Sequence, residues 1–239
     1  MEVNIFGEGA VGYKNIVKSS SSQDFFLYKK YKNYAVCTVA DGHSMDVFKY
    51  SHIGSYLACQ SVFEILKTYK LNEDIEKGEQ NFICDLKNKK VQNDIKNKWR
   101  DLVYREFYKR NYKVYKLDYM LFGTTLSFVI FLKEYIVFFN LGDSSILIKE
   151  DKDYVNVFKN NNFKFVNSLA LYNCEEKMQY SILKMNKDFK LVISTDGFIN
   201  SFETYYKLKS ELDRTFQILE KDIFSNRYLR NIYKKHLSN

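Results

Sequence analysis

The sequence predicts an α+β domain in which antiparallel sheets meet helices. Its 239 residues are enough for one domain with a substantial core. A hydrophobic content of 46% and an aromatic content of 17% indicate a folded globule. The predicted elements come in blocks along the chain: strands, then helices, then strands and helices again. We therefore expect a single domain over residues 1–239.

The N-terminal elements follow from hydrophobic patterning. Residues 2–17 and 25–40 are predicted strands on either side of a Ser-rich loop, residues 18–24. Apolar residues at an approximately helical spacing predict a helix over about 47–70. Residues 71–88 are charged and irregular, and we interpret them as a loop or a broken helical connector.

The C-terminal elements begin with a long amphipathic helix. Its apolar residues recur at spacings of three and four between Val91 and Phe107. Residues 122–150 are rich in β-branched and aromatic residues, with breaks at Lys133-Glu134 and Gly142-Asp143, which predicts a meander of three strands. The remaining elements are short strands near 154–159, 179–185 and 189–195, and helices over 199–222 and 226–237.

The overall charge and the cysteines restrict the partners and the compartment. The net charge of +8 comes from scattered basic residues, so we expect no nucleic-acid binding. The four cysteines form no CxxC pair, which is typical of reduced thiols in a cytoplasmic protein. No stretch has the composition of a signal peptide or a membrane span. We expect a cytoplasmic monomer that does not bind membranes.

Three carboxylates stand where apolar strands are predicted to end. They are Asp41, Asp143 and Asp196, each next to a glycine. Hard divalent cations such as Mg²⁺ and Mn²⁺ prefer oxygen ligands and are commonly held by a few carboxylates. Gly42 has no Cβ, so its carbonyl oxygen can approach such a cation closely. A single Asp-Gly after a strand is ordinary turn chemistry, but its repetition predicts that distant segments bring their carboxylates to one place.

An ordered series of motifs over residues 1 to about 205 resembles the metal-dependent protein Ser/Thr phosphatases of the protein phosphatase 2C family, in its bacterial type. The motifs are "SSQDFF", "VADGH", "FGTTLSFVI", "FNLGDSSIL" and "LVISTDGFINSF". The resemblance implies a β-sandwich of two antiparallel sheets flanked by helices, in four layers α-β-β-α. It also implies a signalling enzyme that hydrolyses phosphoserine and phosphothreonine in protein substrates with a metal-activated water.

The resemblance implies two bound Mg²⁺ or Mn²⁺ ions and a set of ligands for them. Asp41 would bridge the two ions, and the Gly42 carbonyl would bind one of them. Asp196 would bind the other ion, and Asp143 would lie close by, near an additional and weaker metal. Asp24 would support the site, mostly through water.

The same resemblance implies the groups that act on the substrate. Besides Asp41, the catalytic residue would be His43, as general acid towards the leaving alkoxide. Lys14 is the nearest cation to the position where relatives bind the substrate phosphate, and we expect it to contact that phosphate.

Three departures from the family pattern leave a second function open. Asn200 replaces an acidic residue of the late motif, and Gln23 stands where many relatives have Glu. The sequence ends at "NRYLRNIYKKHLSN" without the family's terminal metal-binding Asp, so we expect a domain shortened at its C-terminus or lacking one ligand. The alternative is a pseudophosphatase that acts as a phosphoprotein-binding or regulatory module. A serine esterase at Gly142-Asp143-Ser144 is disfavoured, because no Asp/His pair follows at a suitable spacing.

Overall fold

The protein folds as an α+β sandwich of two antiparallel sheets. The structure is a computed structural model that describes residues 3–9, 22–110, 116–158, 166–185, 189–221 and 225–237. The first sheet has five strands in the order β1-β2-β3-β4-β7. Its strands are β1 (Phe25–Lys30), β2 (Ala35–Ala40), β3 (Leu126–Phe131), β4 (Tyr135–Leu141) and β7 (Gln179–Lys184).

The second sheet has three described strands in the order β6-β5-β8. They are β5 (Ser145–Glu150), β6 (Asp153–Asn156) and β8 (Leu191–Ser194). Together the two sheets confirm the predicted fold class.

The helices come in two groups. The first comprises α1 (Ser51–Thr68), α2 (Ile75–Lys87) and α3 (Lys90–Lys109). The second comprises α4 (Asp196–Asn200), α5 (Tyr205–Lys221) and α6 (Ser225–Leu237).

The alternation of side chains along the central strands builds the layers. Phe128 and Ile130 of β3 join the large cluster beneath the first group of helices. Val129, between them, faces the other way and packs with Ile146 of the second sheet. Successive side chains of a strand point to opposite faces, so β3 is apolar on both faces because helices cover one and a sheet covers the other.

The outer layers are helical on both sides. On the five-stranded sheet, α1 packs against β1, β2 and β3, and Trp99 of α3 donates its indole N–H to the Gly54 carbonyl of α1 at 3.0 Å. On the three-stranded sheet, Leu208 and Leu212 of α5 pack against Leu147 and Tyr154. The order of layers is therefore α-β-β-α.

Several element boundaries differ from the sequence prediction. Residues 71–88 contain the helix α2, because the Asp74 side chain caps it by accepting from the Lys77 N–H at 3.1 Å and because Phe82 and Leu86 are buried. The predicted helix over 199–222 is two helices, α4 and α5, and α1 begins at Ser51 rather than 47.

The predicted strands also need correction. Residues 25–40 form a hairpin of two strands, and the meander over 122–150 divides between the sheets, since β5 pairs with β6 and β8 and not with β4. Of the strand predicted over 2–17, residues 3–9 have no regular secondary structure and belong to neither sheet, and the rest lie outside the described residues. Among the described helices, none has both the length and the apolar character needed to cross a bilayer.

Candidate active site

Four aspartates end the two sheets as two pairs. In the first sheet, the pair Phe25↔Ala40 closes the β1–β2 ladder, so Asp24 and Asp41 are the next residues in register. In the second sheet, the pair Ser145↔Ser194 closes the β5–β8 ladder, and Asp143 and Asp196 lie two positions beyond it. Antiparallel pairing thus brings together carboxylates that are 17 and 53 residues apart in the sequence.

A hydrogen bond links the two pairs. The Thr195 hydroxyl, next to Asp196, donates to Oδ2 of Asp24 at 3.0 Å. Strand β8 also contacts β2 and β3, so the ends of the two sheets meet at this edge of the sandwich. All four aspartates therefore lie at one edge of the sandwich, where burial and the charges of Asp24, Asp196 and Asp143 raise the pKa of Asp41. We call the space between the two sheet ends the cleft.

The two threonines of the "GTT" motif hold the backbone of Asp41. The Thr125 hydroxyl accepts from the Asp41 N–H at 2.9 Å. The Asp41 carbonyl accepts from the Thr125 N–H and from the Thr124 hydroxyl, each at 2.9 Å. With its N–H and its carbonyl both bonded, Asp41 has a fixed backbone from which its carboxyl group extends.

Gly42 occupies a position with no room for a side chain. An added Cβ would lie 2.6 Å from the Gln23 carbonyl oxygen and 2.9 Å from the backbone of Ser51. The Gly42 N–H donates to that same Gln23 carbonyl at 3.2 Å, and Gly42 forms a bridge with Thr124. The glycine is required because three chain segments converge there.

Burial, and after it mutual repulsion, raises the pKa values of three of these carboxyl groups. Burial, followed by the charges of Asp24 and Asp196, raises the pKa of Asp41 to about 9. Burial also raises the pKa of Asp24 and that of Asp143, and the charge of Asp196 adds to both shifts. With a pKa of about 9, the Asp41 carboxyl group keeps its proton at pH 7 when no cation is bound.

The donor set fits a hard divalent cation in chemistry and in charge. It consists of carboxylate oxygens and a glycine carbonyl, and their mutual repulsion is what a cation would relieve. The ligands do not form a closed cage, since no three His, Cys, Asp or Glu side chains in the described residues are close enough to hold a metal as they stand. A cation bound by Asp41 and Asp196 would have to draw the two sheet ends together.

Asn200 modifies the Asp196 end of this set. Its side-chain amide donates to Oδ2 of Asp196 at 3.2 Å, one helical turn away. The Asn200 amide therefore orients the Asp196 carboxylate through Oδ2 and not through Oδ1. It contributes no charge, in contrast to the acidic residue expected from the family pattern.

His43 follows Gly42 at the edge of the cleft. Its backbone N–H donates to the Gly123 carbonyl at 3.1 Å. Its ring lies 4.7 Å from the ring of Phe48, centroid to centroid. Burial lowers the pKa of the imidazole, so the ring is neutral at pH 7 when no anion is nearby. Lys14, the predicted phosphate contact, lies outside the described residues.

Gln23 is a structural anchor whose role the sequence did not reveal. Its side-chain amide donates to the His43 carbonyl at 3.0 Å and to the Ser51 hydroxyl at 3.1 Å. The backbone carbonyl of Gln23 accepts from the Gly42 N–H and, at 2.6 Å, from the Ser55 hydroxyl. Gln23 thus joins the Asp24 segment to the tip of β2 and to α1. The only sequence signal was an amide where relatives have a carboxylate.

Comparisons with known proteins identify a family and a likeness of fold. The family model described as "Protein phosphatase 2C" matches residues 11–235. The S. agalactiae serine/threonine phosphatase is 17% identical, with 98% of this chain and 92% of that chain covered and a TM-score of 0.53. The catalytic domain of the serine/threonine protein phosphatase PstP, in complex with two manganese ions, is 11% identical, with 98% and 91% covered and a TM-score of 0.55.

A third solved structure extends the comparison. A bacterial serine phosphatase is 14% identical, with 92% of this chain and 87% of that chain covered and a TM-score of 0.58. At such low identities these structures establish the likeness of fold alone. No curated protein sequence matches the chain.

Proposed function

Since the chain belongs to the protein phosphatase 2C family, we propose that it is a metal-dependent phosphatase of phosphoserine and phosphothreonine in proteins. The observation that carries the proposal is that strand register places four aspartates from two sheets at one edge of the sandwich, near enough for their charges to act on Asp41. The raised pKa of Asp41 supports it, because strongly shifted carboxyl groups in a cleft are typical of functional sites.

The aspartates would hold Mg²⁺ or Mn²⁺ in this cleft. Asp41, the Gly42 carbonyl and Asp196 would be the principal ligands, Asp143 would lie beside them, and Asp24 would act through water. When bound, the ions would neutralise charge on the phosphate and supply an activated water as nucleophile. Thr124 and Thr125 are positioning residues, because they fix the backbone from which Asp41 reaches the cleft.

His43 would protonate the leaving oxygen of the substrate. Burial lowers the pKa of the free imidazole, and the negative charge of a bound phosphate would raise it again. A ring nitrogen of His43 would therefore take up a proton as the substrate binds and give it to the serine or threonine oxygen as the ester bond breaks.

A pseudophosphatase is the second candidate. The neutral Asn200 beside Asp196 and the open ligand set favour it, because each missing negative charge weakens metal binding. Such a protein would bind a phosphoprotein in the same cleft without turning it over. The single domain, the cytoplasmic location, the signalling role, the monomeric state and the contact of Lys14 with phosphate stay predictions of the sequence.

Hydrolysis of a phosphothreonine peptide, titrated with Mn²⁺, tests the proposal. We expect phosphate release that depends on Mn²⁺ and falls at least about 100-fold in Asp41→Ala, the scale of losing a principal metal ligand or its support. No release above that of Asp41→Ala at any Mn²⁺ concentration, from a protein that is folded by circular dichroism, would overturn the enzyme and leave the pseudophosphatase.

A further inference from the structure

The loop between His43 and α1 exposes two apolar side chains at the rim of the candidate site. Met45 is 65% exposed and Val47 is 50% exposed. Asp46, between them, is also exposed. We call Met45 and Val47 the apolar lip. Single exposed apolar residues are common on protein surfaces, but these two occur within three residues of each other, next to the predicted general acid.

The loop is anchored so that the apolar lip has a defined position. The Phe48 N–H donates to the Met45 carbonyl at 2.9 Å, which closes a turn around Asp46 and Val47. The Tyr50 N–H then donates to the Leu121 carbonyl at 2.8 Å. These two hydrogen bonds, together with the start of α1, hold the turn in a defined position beside His43.

Phe48 connects the turn to the site itself. Its side chain is only 7% exposed and packs against the His43 ring. Phe48 thus faces inward, whereas its neighbours Val47 and Lys49 face solvent. The loop places one aromatic ring inside against the imidazole and leaves Met45 and Val47 largely outside.

The position of the apolar lip suggests what it contacts. If His43 protonates the serine or threonine oxygen, the phosphorylated residue lies beside His43, and an extended peptide advances about 3.3 Å per residue on either side of it. Its next residues would then lie within reach of the loop. Apolar side chains of this kind gain free energy only when a partner covers them.

Resting on the proposed function, we infer that Met45 and Val47 contact an apolar residue of the substrate that flanks the phosphorylated serine or threonine. The site would therefore prefer phosphopeptides with a large aliphatic neighbour to those with a small polar one. The preference belongs to substrate recognition and takes no part in the chemical step.

A pair of phosphothreonine peptides tests the inference. The two differ only in the residues flanking phosphothreonine, leucine in one and serine in the other. They are compared on the wild-type protein, on the double variant Met45→Ser/Val47→Ser and on Val155→Ser. Val155 is a matched control, because it is 47% exposed and lies on β6, the edge strand that β5 separates from β8. Both kcat/KM and the Kd of labelled peptides are measured.

We expect the kcat/KM of the wild-type protein and of Val155→Ser to be about threefold or more higher for the leucine peptide than for the serine peptide. A closed apolar pocket discriminates at least about 10-fold for one methylene, and an open surface discriminates less. The double variant should lose this preference, mainly through a higher KM and Kd for the leucine peptide. Equal values for the two peptides in the wild type, or a preference that persists in the double variant, would overturn the inference.

Failure of the proposed function gives a different result. p-Nitrophenyl phosphate has no flanking residues. If the proposed function is wrong, the wild-type protein will not hydrolyse it in the presence of Mn²⁺. The Kd values would still report on the apolar lip: a leucine preference lost in the double variant would uphold it as a binding surface, and equal Kd values would reject it.

Discussion

Asp41 holds a proton at a pH at which an aspartate in water has lost it. Burial and the charges of Asp24 and Asp196 raise its pKa to about 9, against about 3.9 for the unfolded chain. Between these two values the native protein binds a proton that the unfolded chain has released. The free energy of unfolding therefore decreases as the pH rises through this window. The candidate site lowers stability when no cation is present.

Replacing Asp41 with asparagine should stabilise the metal-free protein. Asparagine resembles the protonated acid in shape and has no proton to lose, so the gain should grow with pH by up to about 1.4 kcal/mol per unit between pH 4 and 9. Urea unfolding in EDTA at pH 5, 6.5 and 8 measures the difference. A variant that is less stable than the wild type at pH 8, or a difference that shrinks with pH, would contradict this electrostatic account.

At the level of the elements, Gly142 connects the two sheets. It follows β4 of one sheet and precedes β5 of the other, and it carries the chain through φ +118°, a conformation that L side chains rarely adopt. An added Cβ would lie 2.5 Å from the methyl group of Thr125. The same threonine hydroxyl accepts from the Asp41 N–H, so the connection and the site share a contact.

Gly142→Ala should therefore reduce stability by about 1–3 kcal/mol, the usual cost of a strained backbone conformation, and should weaken stabilisation by Mn²⁺. Gly197→Ala is the control, since nothing lies within 4 Å of a Cβ added there and its φ lies outside the range that favours glycine. That variant should unfold within about 1 kcal/mol of the wild type. Thermal unfolding with and without Mn²⁺ compares them; equal losses in both variants would argue against the shared contact.

How far the elements could be predicted depended on how strongly each is patterned. The strands on either side of Lys133-Glu134 were predicted because their apolar residues are continuous. Helix α2 was missed because five of its 13 residues are charged and two more are amides, which hides the helical pattern; the Asp74 cap and the buried Phe82 and Leu86 indicate the helix. The exchange between sheets at Gly142 could not be predicted, because β5 has the same composition whichever sheet it joins.

Over the whole molecule, the order of the motifs predicted the four-layer fold correctly. The sequence also placed Asp41, Asp143 and Asp196 at strand ends, where the structure has them. What it could not predict was the matching of Asp24 with Asp41 and of Asp143 with Asp196, since register depends on pairing across the sheets. Nor did it reveal Gln23 as an anchor, because an isolated glutamine carries no pattern.

The central claim is that the two ends of the sandwich form one site for divalent cations. Calorimetric titration of Mn²⁺ into the metal-free protein tests it most directly, with Asp41→Asn as the variant and Asp151→Asn, an exposed turn aspartate after β5, as the control. We predict that two ions bind to the wild type and to Asp151→Asn, and that Asp41→Asn loses at least one of them. An absence of binding, or equal binding by all three proteins, would contradict the claim.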